Sequence, residues 1–207
     1  DVQTLTTFGF SFIVIGTLIQ LWVYFFTGSA FLSLISGITG IISVALCSNR
    51  KISFYVFGFI QLITYVILCI EQKLYGEIAE NAFYFITMLY GLYHWSVNYN
   101  STTQEVKTRN LNKLQSTLVL IGTTLLTLVL YGVLVKTDDT QPIMDAITTA
   151  PAFIAQILMI LRYKDSWYYW IIIDLGAIPM WIIAGDWCMA VQYVLWTINC
   201  IYGLKRW

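Results

Sequence analysis

Eight stretches of mostly apolar residues fill nearly the whole chain, near 8–26, 29–48, 53–71, 77–97, 114–135, 143–163, 167–184 and 187–205. Each approaches the roughly 20 residues that a helix needs to cross a bilayer. Helices that are apolar on every side belong in lipid or in a very large core, and 207 residues build no such core. The spacing therefore predicts an all-α polytopic membrane protein with eight transmembrane helices. Composition agrees, with 58% hydrophobic residues, 11% charged residues and a mean hydropathy of +0.73. The first stretch is too long for a secretory signal and lacks a small-residue cleavage site after it, so it is read as structure.

If all eight stretches span, the basic residues divide unevenly. Arg50, Lys51, Lys107, Arg109, Lys113, Arg162, Lys164, Lys205 and Arg206 fall on the side that holds both termini, and Lys73 and Lys136 fall on the other. The excess of Lys and Arg on one side predicts cytoplasmic termini. Orientation alone accounts for these loops. Net charge is zero, so no nucleic-acid partner is expected.

Familiar chemistries find little to work with. Cys47, Cys69, Cys188 and Cys200 lie within or at the ends of apolar segments without CxxC spacing, as packed small hydrophobes do. No metal site is expected. His94 is the only histidine, so one chain cannot supply a bis-histidine haem pair. No phosphate-cradling GxxxxGK[ST] loop is present, which argues against direct ATP drive. Neither a catalytic residue nor a cofactor is predicted.

A duplication organises the segments. Tyr202-Gly203-Leu204-Lys205-Arg206-Trp207 repeats Tyr90-Gly91-Leu92-Tyr93-His94-Trp95 at an offset of 112, and Lys51-Ile52-Ser53-Phe54-Tyr55-Val56-Phe57 faces Lys164-Asp165-Ser166-Trp167-Tyr168-Tyr169-Trp170 at 113. At 113, Gln61 faces Asp174. At 112, Glu80 faces Gln192, Tyr84 faces Trp196 and Thr87 faces Asn199. The repeating unit is three helices, segments two to four and six to eight, entering the membrane in the same direction, with the fifth segment restoring that direction. The expected divisions are an added amino-terminal helix (1–28), a first repeat (29–97), a loop with the linker helix (98–142) and a second repeat (143–207). Parallel repeats imply a pseudo-two-fold axis along the membrane normal, with a substrate cavity between the halves.

Polar side chains in hydrocarbon point into a bundle or a wet passage, so helical spacing indicates the lining. Segment four carries Glu77, Asn81, Tyr84, Met88, Gly91 and Trp95 in steps of three or four, and segment eight carries Gln192, Trp196, Asn199 and Gly203. Segment seven adds Trp167, Trp170, Asp174 and Trp181, segment three Gln61, and segment six Gln156. The candidate site is Gln61, Asn81, Tyr84, Trp170, Asp174, Gln192, Trp196 and Asn199, with Glu80, Thr87, Gln156 and Trp167 as secondary candidates. Plain alternatives stand beside these. Trp and Tyr near helix ends serve as interface anchors, and Asn or Gln, including Gln20, serve as interhelical glue. Asp174 has the sharpest functional claim, because no Lys or Arg lies on its helix or on the repeat mate, which leaves a proton or a cationic ligand. Pro151 and Pro179 interrupt segments six and seven, and Gly37 and Gly40 occupy the region that matches Pro151. Such kinks serve either rocking of the halves or static curvature.

These residues resemble a known family. Three-plus-one-plus-three helices with an added amino-terminal helix, Trp167-Tyr168-Tyr169-Trp170, Glu80-Asn81 opening a helix and Tyr90-Gly91-Leu92-Tyr93-His94-Trp95 are similar to the PnuC family of vitamin transporters over roughly residues 30–207. That family shares its layout with the sugar-conducting SWEET proteins. The chain departs from the pattern at Leu92, where many relatives carry Trp, and at Phe54-Tyr55-Val56-Phe57, which replaces a second W-x-x-W. The resemblance implies facilitated diffusion of nicotinamide riboside across a bacterial inner membrane for NAD biosynthesis, with a cytoplasmic kinase trapping the product. It implies that Trp170, Trp196 and Tyr84 face the cationic ring, that Gln61, Asn81, Gln192 and Asn199 serve the carboxamide and ribose, and that Asp174 balances the charge. Thiamin or riboflavin as substrate and proton coupling through Asp174 or Glu80 stay open. An integral-membrane enzyme or a quinone-binding subunit is a more distant reading. Lipid-facing aromatics permit a homo-oligomer, a trimer among them.

Overall fold

Each apolar stretch forms one helix in the computed structural model, which describes residues 5–207. The helices are α1 (Thr7–Thr27), α2 (Phe31–Ser48), α3 (Phe54–Gln72), α4 (Tyr75–Val97), α5 (Lys113–Leu134), α6 (Pro142–Ile160), α7 (Ser166–Ala184) and α8 (Trp187–Arg206), with a two-stranded antiparallel hairpin, β1 (Tyr99–Asn100) and β2 (Glu105–Val106), between α4 and α5. The predicted amino-terminal segment 1–28 begins outside the described residues. Six helices are long and apolar enough to cross a membrane, and the two that fall short are α4 and α8. These two carry the polar stripes, so their lower hydropathy follows from what they present inward.

Six helices close a ring through the contacts α2–α3, α3–α4, α4–α6, α6–α7, α7–α8 and α8–α2. Outside the ring, α1 lies against α2 and α8, and α5 lies against α6. Both outer helices expose apolar side chains such as Leu18, Trp22, Phe25, Leu118, Leu125 and Val129, as lipid-facing helices do. Gln20 is glue: its Nε2 donates to the Cys188 carbonyl at 3.0 Å. It reaches that carbonyl over Gly37, where a Cβ would stand 2.8 Å from the Gln20 amide carbon.

Loop hydrogen bonds show the duplication in a single register. The Lys51 amide donates to the Leu46 carbonyl and the Tyr163 amide to that of Leu158, and the Leu74 amide donates to Cys69 while that of Asp186 donates to Trp181. Each second pair lies 112 residues after the first. Arg50 and Arg162, which follow the C-caps of α2 and α6, share the left-handed conformation (φ 59° and 67°). The offset of 113 expected at the start of α3 and α7 is therefore corrected to 112, because the Phe54 amide bonds Lys51 and the Ser166 amide bonds Tyr163. Residue likeness across a short loop had suggested the extra step. Leu62, not Gln61, is the mate of Asp174.

The helix ends are tied across the ring. Asp145 of α6 accepts from the Gly76 amide at 2.8 Å, supplying α4 with the cap that Leu74 lacks. At the matching place 112 residues earlier, Ser33 of α2 donates to Asp186, the N-cap of α8, at 2.5 Å. At the opposite end the hairpin straps the basic loops together. Glu105 pairs with both Arg50 and Arg206, the Val106 amide donates to the Arg50 carbonyl, and the Arg109 amide donates to the Arg162 carbonyl. Burial and the nearby Arg206 pull the Arg50 guanidinium below its ordinary range, and Glu105 opposes the shift.

Candidate functional site

The ring encloses a cavity of about 130 Å³. Its wall comes from α2 (Gly40, Ser43, Val44, Cys47), α3 (Phe54, Gly58, Gln61, Leu62), α4 (Tyr84, Met88), α6 (Gln156, Met159), α7 (Trp167, Trp170, Asp174) and α8 (Trp196, Cys200). All six ring helices therefore contribute. Two aromatic clusters bound it. Towards the basic loops, Trp207 lies 5.8 Å from Trp95 and 5.3 Å from Trp167, ring centre to ring centre. At the other end, the Trp181 indole donates to the Tyr65 hydroxyl at 3.2 Å, Tyr65 donates to Glu77 at 2.8 Å, and the Tyr193 hydroxyl lies 2.5 Å from that of Tyr65. That network spans α3, α4, α7 and α8, and every polar group in it is buried.

Of the predicted site residues, the structure brings Gln61, Tyr84, Trp170, Asp174 and Trp196 to the cavity wall, with Gln156 and Trp167 from the secondary set. Asp174 is 1% exposed, and the Cys200 thiol donates to its Oδ2 at 3.4 Å. No Lys or Arg lines the cavity among the described residues. Tyr84 and Trp170 meet edge to face with centres 6.0 Å apart, and the Trp170 and Trp196 indole N–H groups are buried without a protein partner. Gln156 is oriented by α4, its Nε2 donating to the Thr87 hydroxyl at 3.1 Å. Thr87 thus stands one bond behind the wall.

The remaining candidates stand behind the wall or away from it. Both functional atoms of the Asn199 side chain are engaged, Oδ1 accepting from Ser48 and Nδ2 donating to the Val44 carbonyl, each at 2.9 Å. Asn199 thereby pins α8 to the end of α2. Asn81 donates to the Glu77 carbonyl of its own helix at 2.7 Å. Glu80 is buried beside that turn. Gln192 is fully buried next to Gly40, and neither atom of its amide has a protein partner. Sequence reasoning passed over the sulfur-bearing part of the wall, Cys47, Met159 and Cys200. Cysteines at period-3.6 positions in apolar helices carry no signal that separates packing from lining.

The arrangement suits one class of ligand. Flat aromatic faces, partly unsatisfied amides and one carboxylate, with no fixed cation, favour a small, planar, positively charged molecule with hydrogen-bonding substituents. An anion would find no Arg or Lys in the wall to receive it.

Comparison with known proteins follows the same direction. A family model described as nicotinamide mononucleotide transporter matches residues 30–207. The nicotinamide riboside transporter PnuC of Neisseria mucosa is 30% identical over 200 residues, covering 91% of this chain and 76% of that protein. The protein of the same name from Haemophilus influenzae is 30% identical over 91% of this chain and 84% of its own length. The one from Escherichia coli is 25% identical over 82% of each. The crystal structure of the vitamin B3 transporter PnuC superposes with a TM-score of 0.87 at 30% identity, covering 98% of this chain and 91% of that one. Matched along nearly its whole length in sequence and in fold, this multi-pass membrane protein belongs to the PnuC family of transporters.

Proposed function

We propose that the chain carries nicotinamide riboside across a bacterial inner membrane by facilitated diffusion, with a cytoplasmic kinase phosphorylating and so trapping the product. The observation that carries this reading is the cavity wall, in which Asp174 and three indoles meet without a basic residue. The family model is described by the mononucleotide and the relatives by the riboside. The wall favours the riboside, because a phosphate would enter beside Asp174 with no Arg or Lys to receive it. In this reading Trp170, Trp196 and Tyr84 face the pyridinium ring, each contact contributing about 0.5–2 kcal/mol. Asp174 balances its charge, and Gln61, Gln156 and Gln192 serve the carboxamide and ribose. Asn199 ties α8 to α2, Thr87 orients Gln156, Asn81 and Glu80 stand on α4 outside the wall, and Trp167 closes the end near the basic loops.

The architecture proposed for this transport is two parallel three-helix units, residues 29–97 and 143–207, with residues 98–142 as the linker and α1 as an added helix. The common 112-residue register and the paired ties at Ser33–Asp186 and Gly76–Asp145 support it. The basic loops gathered under the hairpin support cytoplasmic termini. The apolar outer faces of α1 and α5 leave room for a homo-oligomer in the membrane. Ligand pockets typically measure about 300–1,000 Å³, so a cavity of about 130 Å³ must widen to load a nucleoside. Pro151 and Pro179 lie within α6 and α7, where the ring can bend.

The test is uptake into proteoliposomes of radiolabelled nicotinamide riboside, nicotinamide mononucleotide, thiamin and riboflavin, with and without an imposed pH gradient. The expected outcome is equilibration of the riboside alone, independent of the gradient. Efflux of preloaded mononucleotide at the rate of the riboside would overturn the proposal.

A further inference from the structure

At the end that holds the basic loops, two seams of the ring are built alike. The Trp207 indole donates to the Cys47 carbonyl where α8 meets α2, and the Trp95 indole donates to the Met159 carbonyl where α4 meets α6, each at 3.3 Å. The 112-residue register makes Arg162 the mate of Arg50 and His94 the mate of Arg206. What differs is the counter-charge. Glu105 sits between Arg50 and Arg206 and pairs with both, whereas no carboxylate pairs with Arg162 or His94 among the described residues.

The α4–α6 seam gathers further positive charge instead. Three consecutive carbonyls at the end of α6 hold it in place: His94 Nδ1 donates to Ile160 at 3.0 Å, Arg109 Nε to Leu161 at 2.9 Å, and the Arg109 amide to Arg162 at 2.9 Å. The Arg109 guanidinium lies over the Tyr163 ring, 4.2 Å from its centre, and Arg162 donates through Nη1 to the Lys107 carbonyl at 2.8 Å. The remaining Nη groups of both arginines bond no protein atom among the described residues. Asp165, the nearest carboxylate along the chain, accepts from the Leu111 amide. Burial, and then Arg109, pull the Arg162 guanidinium below its ordinary range, with no acidic group opposing the shift as Glu105 does at Arg50.

Orientation in the membrane asks for basic loops, but not for two guanidiniums and an imidazole converging on one turn without a counter-ion. An anion with several acceptor oxygens completes such a cluster. The surroundings indicate its source. Beside His94, Tyr93 and Val97 of α4 are 67% and 66% exposed, and Leu114 in the first turn of α5 is 68% exposed. These side chains face lipid, with the tyrosine at headgroup depth.

We propose that Arg109, Arg162 and His94 form a binding site for the phosphate of an anionic phospholipid, which occupies at the α4–α6 seam the place that Glu105 occupies at the α2–α8 seam. Basic pockets between helix ends at a membrane surface suit such headgroups. The phosphate oxygens accept from the open Nη groups, and the acyl chains follow the apolar face of α4. A zwitterionic headgroup would bring its own cation to a place that already holds two guanidiniums. The site stands whichever vitamin the cavity carries.

The experiment is native mass spectrometry of the detergent-purified chain, titrated with phosphatidylglycerol or with phosphatidylcholine of the same acyl chains. Wild type should bind phosphatidylglycerol about 20-fold more tightly, and Arg109→Gln and Arg162→Gln should each reduce that preference about fivefold, the contribution of one basic residue beside an anionic headgroup. The double variant should show almost no preference. Arg109→Lys keeps the charge, should keep most of the preference, and covers the case in which a glutamine variant fails to fold. Lys73→Gln with Lys136→Gln, on the opposite side of the bundle, should leave it unchanged. Equal binding of the two lipids by wild type, or an unaltered preference in the double glutamine variant, would overturn the proposal. Displacement of phosphatidylglycerol by millimolar inorganic phosphate would give the cluster to a soluble anion and overturn the lipid assignment.

Discussion

Replacing Asp174 with Asn separates charge from shape at the centre of the proposed site. The two side chains are nearly isosteric, and the amide oxygen can still accept from Cys200, which now donates to Oδ2 at 3.4 Å. A cation seated in a cavity of about 130 Å³ has its charge within roughly 6 Å of a carboxylate in the wall, and at an effective dielectric constant of about 20 the two attract by roughly 3 kcal/mol. Holding an ionised carboxylate out of water returns part of that gain, so the net selective effect should be about 1.5–3 kcal/mol, roughly 10- to 150-fold in affinity. The assay is uptake by matched proteoliposomes of nicotinamide riboside and its neutral dihydro form, with folding checked by size-exclusion chromatography in detergent. Asp174→Asn should raise KM for the cationic riboside by that factor while changing the neutral form far less. An equal change for both substrates, or no change for either, would refute the assignment of Asp174 as the counter-charge.

Other perturbations probe different parts of the bundle. Trp196→Ala and Trp170→Ala should each weaken riboside binding by about 0.5–2 kcal/mol, with Phe largely restoring it; calorimetry on purified protein checks this, and an unaltered Kd would remove the indoles from the site. Asn199→Ala should lower thermal stability by about 1–3 kcal/mol, because it removes two buried hydrogen bonds that tie α8 to Ser48 and Val44 of α2. Its KM should stay near wild type, and a large KM change with unaltered stability would return Asn199 to the ligand. Glu105→Gln removes the charge shared by Arg50 and Arg206; half-buried pairs at the surface such as these are each worth about 1 kcal/mol, so hydrogen exchange in residues 99–109 should rise by up to about tenfold, and high salt should have the same effect on wild type. Unchanged exchange would show that the backbone bonds of the strap hold without the ion pairs.

Much was legible in the chain itself. The eight apolar stretches matched the eight helices to within a few residues, and six of these are long and apolar enough to cross a bilayer, which demands an apolar length and leaves charge at the connections. The period of 3.6 brought Tyr84, Met88 and Trp95 onto one face, and Trp167, Trp170 and Asp174 onto another, before any neighbour was known. Periodicity says which face turns inward, but not what it meets there. Asn199 and Trp196 share a stripe, yet Asn199 is taken up by Ser48 and Val44 of α2 while Trp196 reaches the cavity. Gly40 read as a break in a helix until Gln61, Gln192 and Trp196 arrived around it. The 112-residue register at the start of α7 came from backbone hydrogen bonds that residue likeness cannot see. Local pattern determined which residues leave the lipid; packing of helices far apart in the chain decided which of them pin the bundle together and which face the passage, because a side chain's partner is a property of the neighbouring helix.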